Sequence, residues 1–165
     1  MTVREILKLG NPTLYKVSAP ITPDELPEIE IVVQDLHDTM MNFRAEYNAG
    51  RAIAAPQIGV MKRLIYMNVT EPITLLNPVL KPQNPKKMEV WDDCMCFPEL
   101  LVKVERYQFC RITYRNLDWN ECVIDLEGDL SELLQHEFDH LDGILAVSRA
   151  MNGQAFALRS QRPFL

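Results

Sequence analysis

Residues 129–143 read Asp129-Leu130-Ser131-Glu132-Leu133-Leu134-Gln135-His136-Glu137-Phe138-Asp139-His140-Leu141-Asp142-Gly143. Leu130, Leu133, Leu134, Phe138 and Leu141 recur at helical spacing, Asp129 and Glu132 form a capping-box pair, and Gly143 is a natural stop. The stretch predicts a helix starting near Asp129. Within it, His136-Glu137-Phe138-Asp139-His140 is the H-E-x-x-H pattern. Residues at i and i+4 share a helix face, so both imidazoles reach one metal ion. Glu137 is rotated about 100° from His136 and sits beside such an ion without ligating it. It also falls near the centre of the apolar stripe, where a bare carboxylate costs several kcal/mol. A divalent cation with its water offsets that cost. The chain has 3 histidines and spends two here, while His37 stands alone in an earlier helical stretch and reads as surface or half-buried.

A catalytic metal wants three protein ligands and an open position. The metzincin arrangement would put a histidine at position 146, which is Ala146, and no Glu, Asp, His or Cys follows Asp142. The third ligand must therefore lie upstream, with Cys94 or Cys96 of Trp91-Asp92-Asp93-Cys94-Met95-Cys96-Phe97-Pro98 the best candidates.

Upstream of this helix the pattern is β. Lys62–Thr70 places Ile65, Met67 and Val69 on one face, and Ile73–Leu80 is a short apolar run. Lys81–Lys87 reads as a turn, Leu101–Glu105 and Phe109–Leu117 alternate, and Asp118-Trp119-Asn120 turns the chain into Glu121–Leu126. Cys110 and Cys122 lie among apolar neighbours and read as core thiols. Prolines punctuate the first 27 residues, a helical period runs from Ile29 to Tyr47 with Gly50 as its stop, and Ala52–Gly59 reads as a loop or short edge segment. In the tail, Asn152–Leu165, a short helix burying Phe156 and Leu158 is expected. The order argues for an α+β fold: antiparallel β-sheets packed around a C-terminal helix carrying HExxH, with an N-terminal helix.

Composition bounds the rest. With 165 residues the expectation is a single domain spanning residues 1–165. Lys plus Arg number 17 against 23 Asp plus Glu, a net charge of −6 that would repel a phosphate backbone, so direct nucleic-acid binding is not expected. No apolar run suits a membrane span, no signal peptide is visible, and the 4 cysteines read as reduced thiols or ligands. A cytoplasmic protein is expected.

Three motifs in order resemble the peptide deformylase family. Gly50-Arg51-Ala52-Ile53-Ala54-Ala55-Pro56-Gln57-Ile58-Gly59 resembles G-x-G-L-A-A-P-Q-I-G, Asp92-Asp93-Cys94-Met95-Cys96-Phe97-Pro98 looks like E-G-C-L-S-V-P, and Gln135–Leu141 matches Q-H-E-x-D-H-L. The resemblance implies that Cys94, His136 and His140 bind the metal and that Glu137 is the general acid/base. It also implies that the Gln57 side chain and the Met95 backbone N–H stabilise an oxyanion. One divalent ion is implied, natively Fe(II), with Zn(II), Ni(II) or Co(II) able to replace it. The reaction implied is hydrolysis of the N-formyl group of N-formylmethionyl peptides, with nascent chains at the ribosome as a source of substrate. A zincin-type protease is the alternative enzyme, and a non-catalytic metal-binding relative that holds a peptide or partner is the alternative of another class.

Departures from the motifs fall where substrate would lie. Arg51 replaces a small apolar residue, Ala52 a glycine, Asp92 a glutamate, Asp93 a glycine and Cys96 a serine, and Leu101 stands where the family often has an arginine. By the resemblance the substrate contacts include Gly50, Arg51, Ala52, Ile53, Asp92 and Glu132. Glu132 is then either a capping residue with Arg51 in solvent, or the ion-pair partner of Arg51 at the pocket mouth.

Overall fold

The computed structural model describes residues 2–165. In chain order the elements are α1 (Leu26–Tyr47), β1 (Ala52–Ala54), β2 (Leu64–Asn68), β3 (Pro72–Pro82), β4 (Lys87–Asp93), β5 (Leu100–Tyr107), β6 (Phe109–Arg115), β7 (Glu121–Glu127), α2 (Asp129–Leu141) and β8 (Phe156–Leu158). One antiparallel sheet runs β1-β2-β3-β6-β7 and a second runs β4-β5-β8. This is the α+β arrangement expected.

The five-stranded sheet lies between the two helices, and β2 shows how. Ile65 and Met67 join Leu133, Leu134 and Leu141 of α2, whereas Leu64 and Tyr66 join Leu36, Met40 and Phe43 of α1. Alternation sends successive side chains to opposite faces, so a strand covered on both sides is apolar throughout. β1, the edge strand, pairs Ala52–Ala54 with Met67–Ile65. Its small residues let α2 pack closely, and a 3₁₀ turn, Ala55–Ile58, follows it and carries Gln57.

Several local expectations are corrected. The first helix starts at Leu26, because Pro27 occupies its first turn, where no intrahelical N–H is needed. It stops at Asn48, which takes the left-handed conformation (φ 52°) and donates its N–H to Arg44 O at 2.9 Å, so Gly50 is not the stop. α2 starts at Asp129, but no side chain caps it, and Glu132 turns elsewhere. Leu130 is exposed, outside the buried stripe. Cys110 is buried, whereas Cys122 is only half-buried. β4 occupies residues expected to hold only the end of a turn and a cysteine motif, and pairs with β5 from Lys87↔Tyr107 to Asp93↔Leu101. In the tail, β8 replaces the expected helix. It pairs with β5 through backbone bonds, leaving Phe156 and Leu158 exposed, and a 3₁₀ turn covers Arg159–Phe164.

Gly143 does end α2's excursion. It has φ 71°, and a Cβ there would lie 2.4 Å from Tyr15 O, so only glycine fits both the turn and the approach.

Candidate metal centre and catalytic cleft

Two elements deliver the cluster. α2 places His136 and His140 one turn apart, with ring centroids 5.0 Å from one another. The end of β4 leads into Cys94. One ligand atom from each of Cys94, His136 and His140 lies within 4.8 Å of the others, and all three residues are buried. Cys94 Sγ is 3.3 Å from His140 Nε2. The Cys96 backbone N–H donates to Cys94 Sγ at 3.4 Å, which favours a thiolate at position 94. Of the two upstream cysteines, Cys94 is the one in the cluster.

A carboxylate orients the first histidine. Asp92 accepts from His136 Nδ1 at 3.0 Å, so Nε2 faces the cluster. Arg106 holds Asp92 in turn, donating from Nη2 at 2.8 Å, and bridges to Asp139 from Nη1 at 2.6 Å. Arg149 caps the far end with two bonds to Asp139 at 2.6 and 2.7 Å. Burial opposes charge on both Asp92 and His136, but their mutual attraction outweighs it; Arg106 adds to the hold on Asp92 and, as a cation, works against the charge on His136. Asp92 is held down at about 2, and His136 is pushed up to about 10. A metal ion, if bound by His136, would take the place of the second imidazole proton.

The donor set fits a divalent cation. Burial raises the Cys94 thiol and lowers His140, so neither carries a compensating charge by itself. Glu137 is buried among them, its pKa pushed up by burial to about 7. Glu137 Oε2 and His140 Nδ1 make no hydrogen bond among the described residues. One cysteine and two histidines supply the three protein ligands of a catalytic site with an open position, and the unpaired Glu137 carboxyl lies beside them.

A cavity of about 50 Å³ opens onto this cluster, room for a few water-sized groups. Gln57 stands at its wall. Its Oε1 accepts from Ala54 N at 2.7 Å, turning Nε2 toward Cys94 Sγ (3.8 Å) and Cys96 Sγ (3.7 Å). Met95, Gly50 and Ala52 line the same cavity. A hollow of about 700 Å³ lies on the other side of α2, between Leu80, Tyr107 and Met151, away from the Cys94–His136–His140 atoms.

Arg51 and Glu132 also line the cleft, joined by an Nη2–Oε1 bond of 2.7 Å. The ion-pair reading holds, and Glu132 is not a capping residue. Two of the expected substrate contacts are corrected. Ile53 is fully buried on the α1 face of β1, because strand alternation turns it away from the cleft. Asp92 lies at the cleft floor, but its carboxylate is taken up by His136 and Arg106. Sequence reading missed Arg106 and Arg159. Arg106 continues the inward register of Val102 and Val104 on β5, and an arginine in such a register signals a buried counter-charge. Arg159 reaches the cleft from the tail, and nothing near it in sequence signals that.

Comparison with known proteins agrees with this geometry. Residues 3–155 match the family Polypeptide deformylase. Peptide deformylase 1 of Prochlorococcus marinus is 36% identical, covering 98% of this chain and 88% of its own length. The crystal structure of peptide deformylase from Thermotoga maritima superposes with a TM-score of 0.83 at 29% identity, covering 92% of this chain and all (100%) of that one. A peptide deformylase from Synechococcus elongatus, solved with actinonin, gives 0.81 at 26% identity, covering 91% of this chain and 80% of that one.

Proposed function

This chain belongs to the peptide deformylase family, metal-dependent hydrolases that remove the N-formyl group from nascent peptides, and from that premise we propose the role of each residue in its cleft. Cys94, His136 and His140 hold the divalent ion. When bound, that ion supplies Lewis acidity, making water more acidic and a formyl carbonyl more electrophilic. Fe(II) is the native ion in this reading, and the mixed thiolate–imidazole set also accepts Zn(II), Ni(II) or Co(II).

Glu137 moves the proton. It takes one from the attacking water as the oxygen adds to the formyl carbon. It returns that proton to the departing nitrogen as the C–N bond breaks, leaving formate and a free amino terminus. Burial favours the protonated form of the Glu137 carboxyl, which suits it to hold that proton between the two halves of the exchange. Gln57 Nε2 and the Met95 backbone N–H donate to the oxyanion that develops at the formyl oxygen. Asp92 keeps His136 in the ligating tautomer. Gly50, Arg51, Ala52 and Glu132 form the walls along which the substrate lies.

The observation that carries the reading is the buried Glu137 carboxyl, its Oε2 unpaired, beside the Cys94–His136–His140 cluster. The same reading has the enzyme acting in the cytoplasm on chains leaving the ribosome. Among the described residues no helix is long and apolar enough to cross a membrane. The test is formate release from formyl-Met-Ala-Ser by iron-loaded protein prepared without oxygen. Turnover that disappears in Glu137→Gln, with metal retained, supports the assignment. Stoichiometric metal with no formate from any formyl peptide overturns it in favour of a binding-only protein.

A further inference from the structure

The family match ends at residue 155, yet the cleft has a wall beyond it. β8 runs antiparallel to β5 in the register Leu100↔Leu158, Leu101↔Ala157, Val102↔Phe156. The Arg159 N–H extends that ladder to Glu99 O at 2.8 Å, fixing the Arg159 backbone beside the loop between β4 and β5. From there its side chain turns into the cleft that contains Glu137 and Cys94. Nε donates to Pro98 O at 2.6 Å, and one Nη2 hydrogen donates to Asp93 Oδ2 at 2.8 Å. A guanidinium has five N–H donors in a planar fork. Its Nη1 edge makes no hydrogen bond to any described residue, and the side chain is 26% exposed. The cation is therefore positioned by the protein on one side and open on the other.

Arg159 bonds to none of Gln57, Cys94, His136, Glu137 or His140. Its open edge thus serves a part of the ligand other than the formyl group. A planar fork with parallel N–H bonds matches a carbonyl or a carboxylate, and a main chain emerging from the cleft offers both. Asp93, adjacent to Cys94 and itself 40% exposed, keeps the guanidinium from swinging into solvent.

We propose that Arg159 is a substrate-binding residue, donating from its free guanidinium edge to the peptide beyond the formylated residue, so that the C-terminal strand is part of the active cleft. The proposal rests on the deformylase reading of that cleft. It gives this enzyme a selectivity for substrate length that comes from its tail.

The experiment compares kcat/KM for formyl-Met-Ala-Ser and for formyl-methionine amide, in the metal-loaded wild type, Arg159→Met and Arg159→Lys. Affinity for the product Met-Ala-Ser is measured in parallel by calorimetry. In Arg159→Met the tripeptide-to-amide ratio of kcat/KM falls about tenfold or more, the loss of a charged hydrogen bond, mostly through KM. Product affinity falls with it, and Arg159→Lys recovers part of both. Equal losses on the two substrates mean that Arg159 only braces the strand, and no loss on either means that its open edge meets solvent; each overturns the proposal. If the loaded wild type releases formate from neither substrate, the deformylase reading fails first, an outcome visible before any variant is made.

Discussion

Arg51 donates from Nη2 to Glu132 Oε1 at 2.7 Å, closing a separation of 81 residues between the entry to β1 and the first turns of α2. The pair lies on the wall of the catalytic cleft, with Arg51 41% and Glu132 14% exposed. Burial raises the pKa of the Glu132 carboxyl and Arg51 opposes that by favouring its charged form, so the pair sets the polarity of the cleft wall. In the function proposed above, a substrate side chain entering here would meet a guanidinium and a carboxylate where a hydrocarbon wall would hold methionine.

The first prediction follows from that wall. Burying a methionine side chain fully is worth about 1.5–3 kcal/mol, and a charged wall forfeits part of it. Arg51→Val with Glu132→Ile should raise kcat/KM for formyl-Met peptides relative to formyl peptides with a polar first residue, by about tenfold. The wild type should show the flatter preference. Identical preferences in the two proteins would mean that this pair does not face the substrate.

A second prediction separates the cysteines. Cys94→Ser should lose tight metal binding, because serine stays protonated where the thiolate ligates. Cys96→Ser should keep the metal, since its sulfur is not in the cluster. Glu137→Gln should keep the metal and lose hydrolysis, having lost the proton carrier and no ligand. Metal content of the three purified variants decides. Equal loss from both cysteine variants would show that the two sulfurs share the ion.

How much of this was legible in sequence depends on the range of the contact concerned. His136, Glu137 and His140 were legible because one helical period places them together, and Cys94 because the helix was one ligand short. Glu132 was ambiguous between a capping residue three positions from Asp129 and a partner for Arg51, since local spacing supports the first and only tertiary structure reveals the second. β4 escaped notice because Lys87–Asp93 mixes charge with Met88, Val90 and Trp91. Its exposed face is held by pairs such as Lys103–Glu89 and Lys87–Glu105, whose partners lie on β5. Arg106 and Arg159 each act through carboxylates on other elements. Ile53 was assigned to the substrate by motif position alone, and the pleat of a three-residue strand sends it to the opposite face.

The third prediction concerns the bond between Asp92 and His136. In Asp92→Asn the amide keeps one acceptor but loses the charge that Arg106 and His136 share. Metal affinity should fall about 10–100-fold, as it does when a ligand's orienting carboxylate is removed. Asp139→Asn should behave differently. It unpairs Arg149 and one arm of Arg106 but leaves the Asp92–His136 bond, so stability should fall by about 3 kcal/mol or more while metal affinity falls less. Thermal melts and metal titrations on both variants check the separation. Matching losses of affinity would mean that the network acts as one unit.

The fourth prediction tests how the end of α2 holds His140. Gly143 N donates to His140 O at 3.2 Å and Ile144 N to Asp139 O at 3.0 Å, so the turn after the helix closes on the helix end that contains His140. Ser18 N donates to Leu141 O at 2.8 Å, tying the same turn to the N-terminal segment. Alanine at 143 must adopt φ 71° and put its Cβ 2.4 Å from Tyr15 O, a backbone atom that cannot swing aside as a side chain would. Left-handed backbone and the displacement of residues 15–16 together should cost about 2 kcal/mol or more. For a chain of this size that lowers the melting temperature by about 4–8 °C. Because the strained turn is bonded to His140 O, the metal-induced rise in melting temperature should shrink as well, a loss that a remote destabilisation of equal size would not produce. Gly153→Ala, where an added methyl would meet nothing within 4 Å, is the matched control. A Gly143→Ala protein that melts with the wild type would mean that the Tyr15 segment yields without cost, and the coupling to His140 would fall with it.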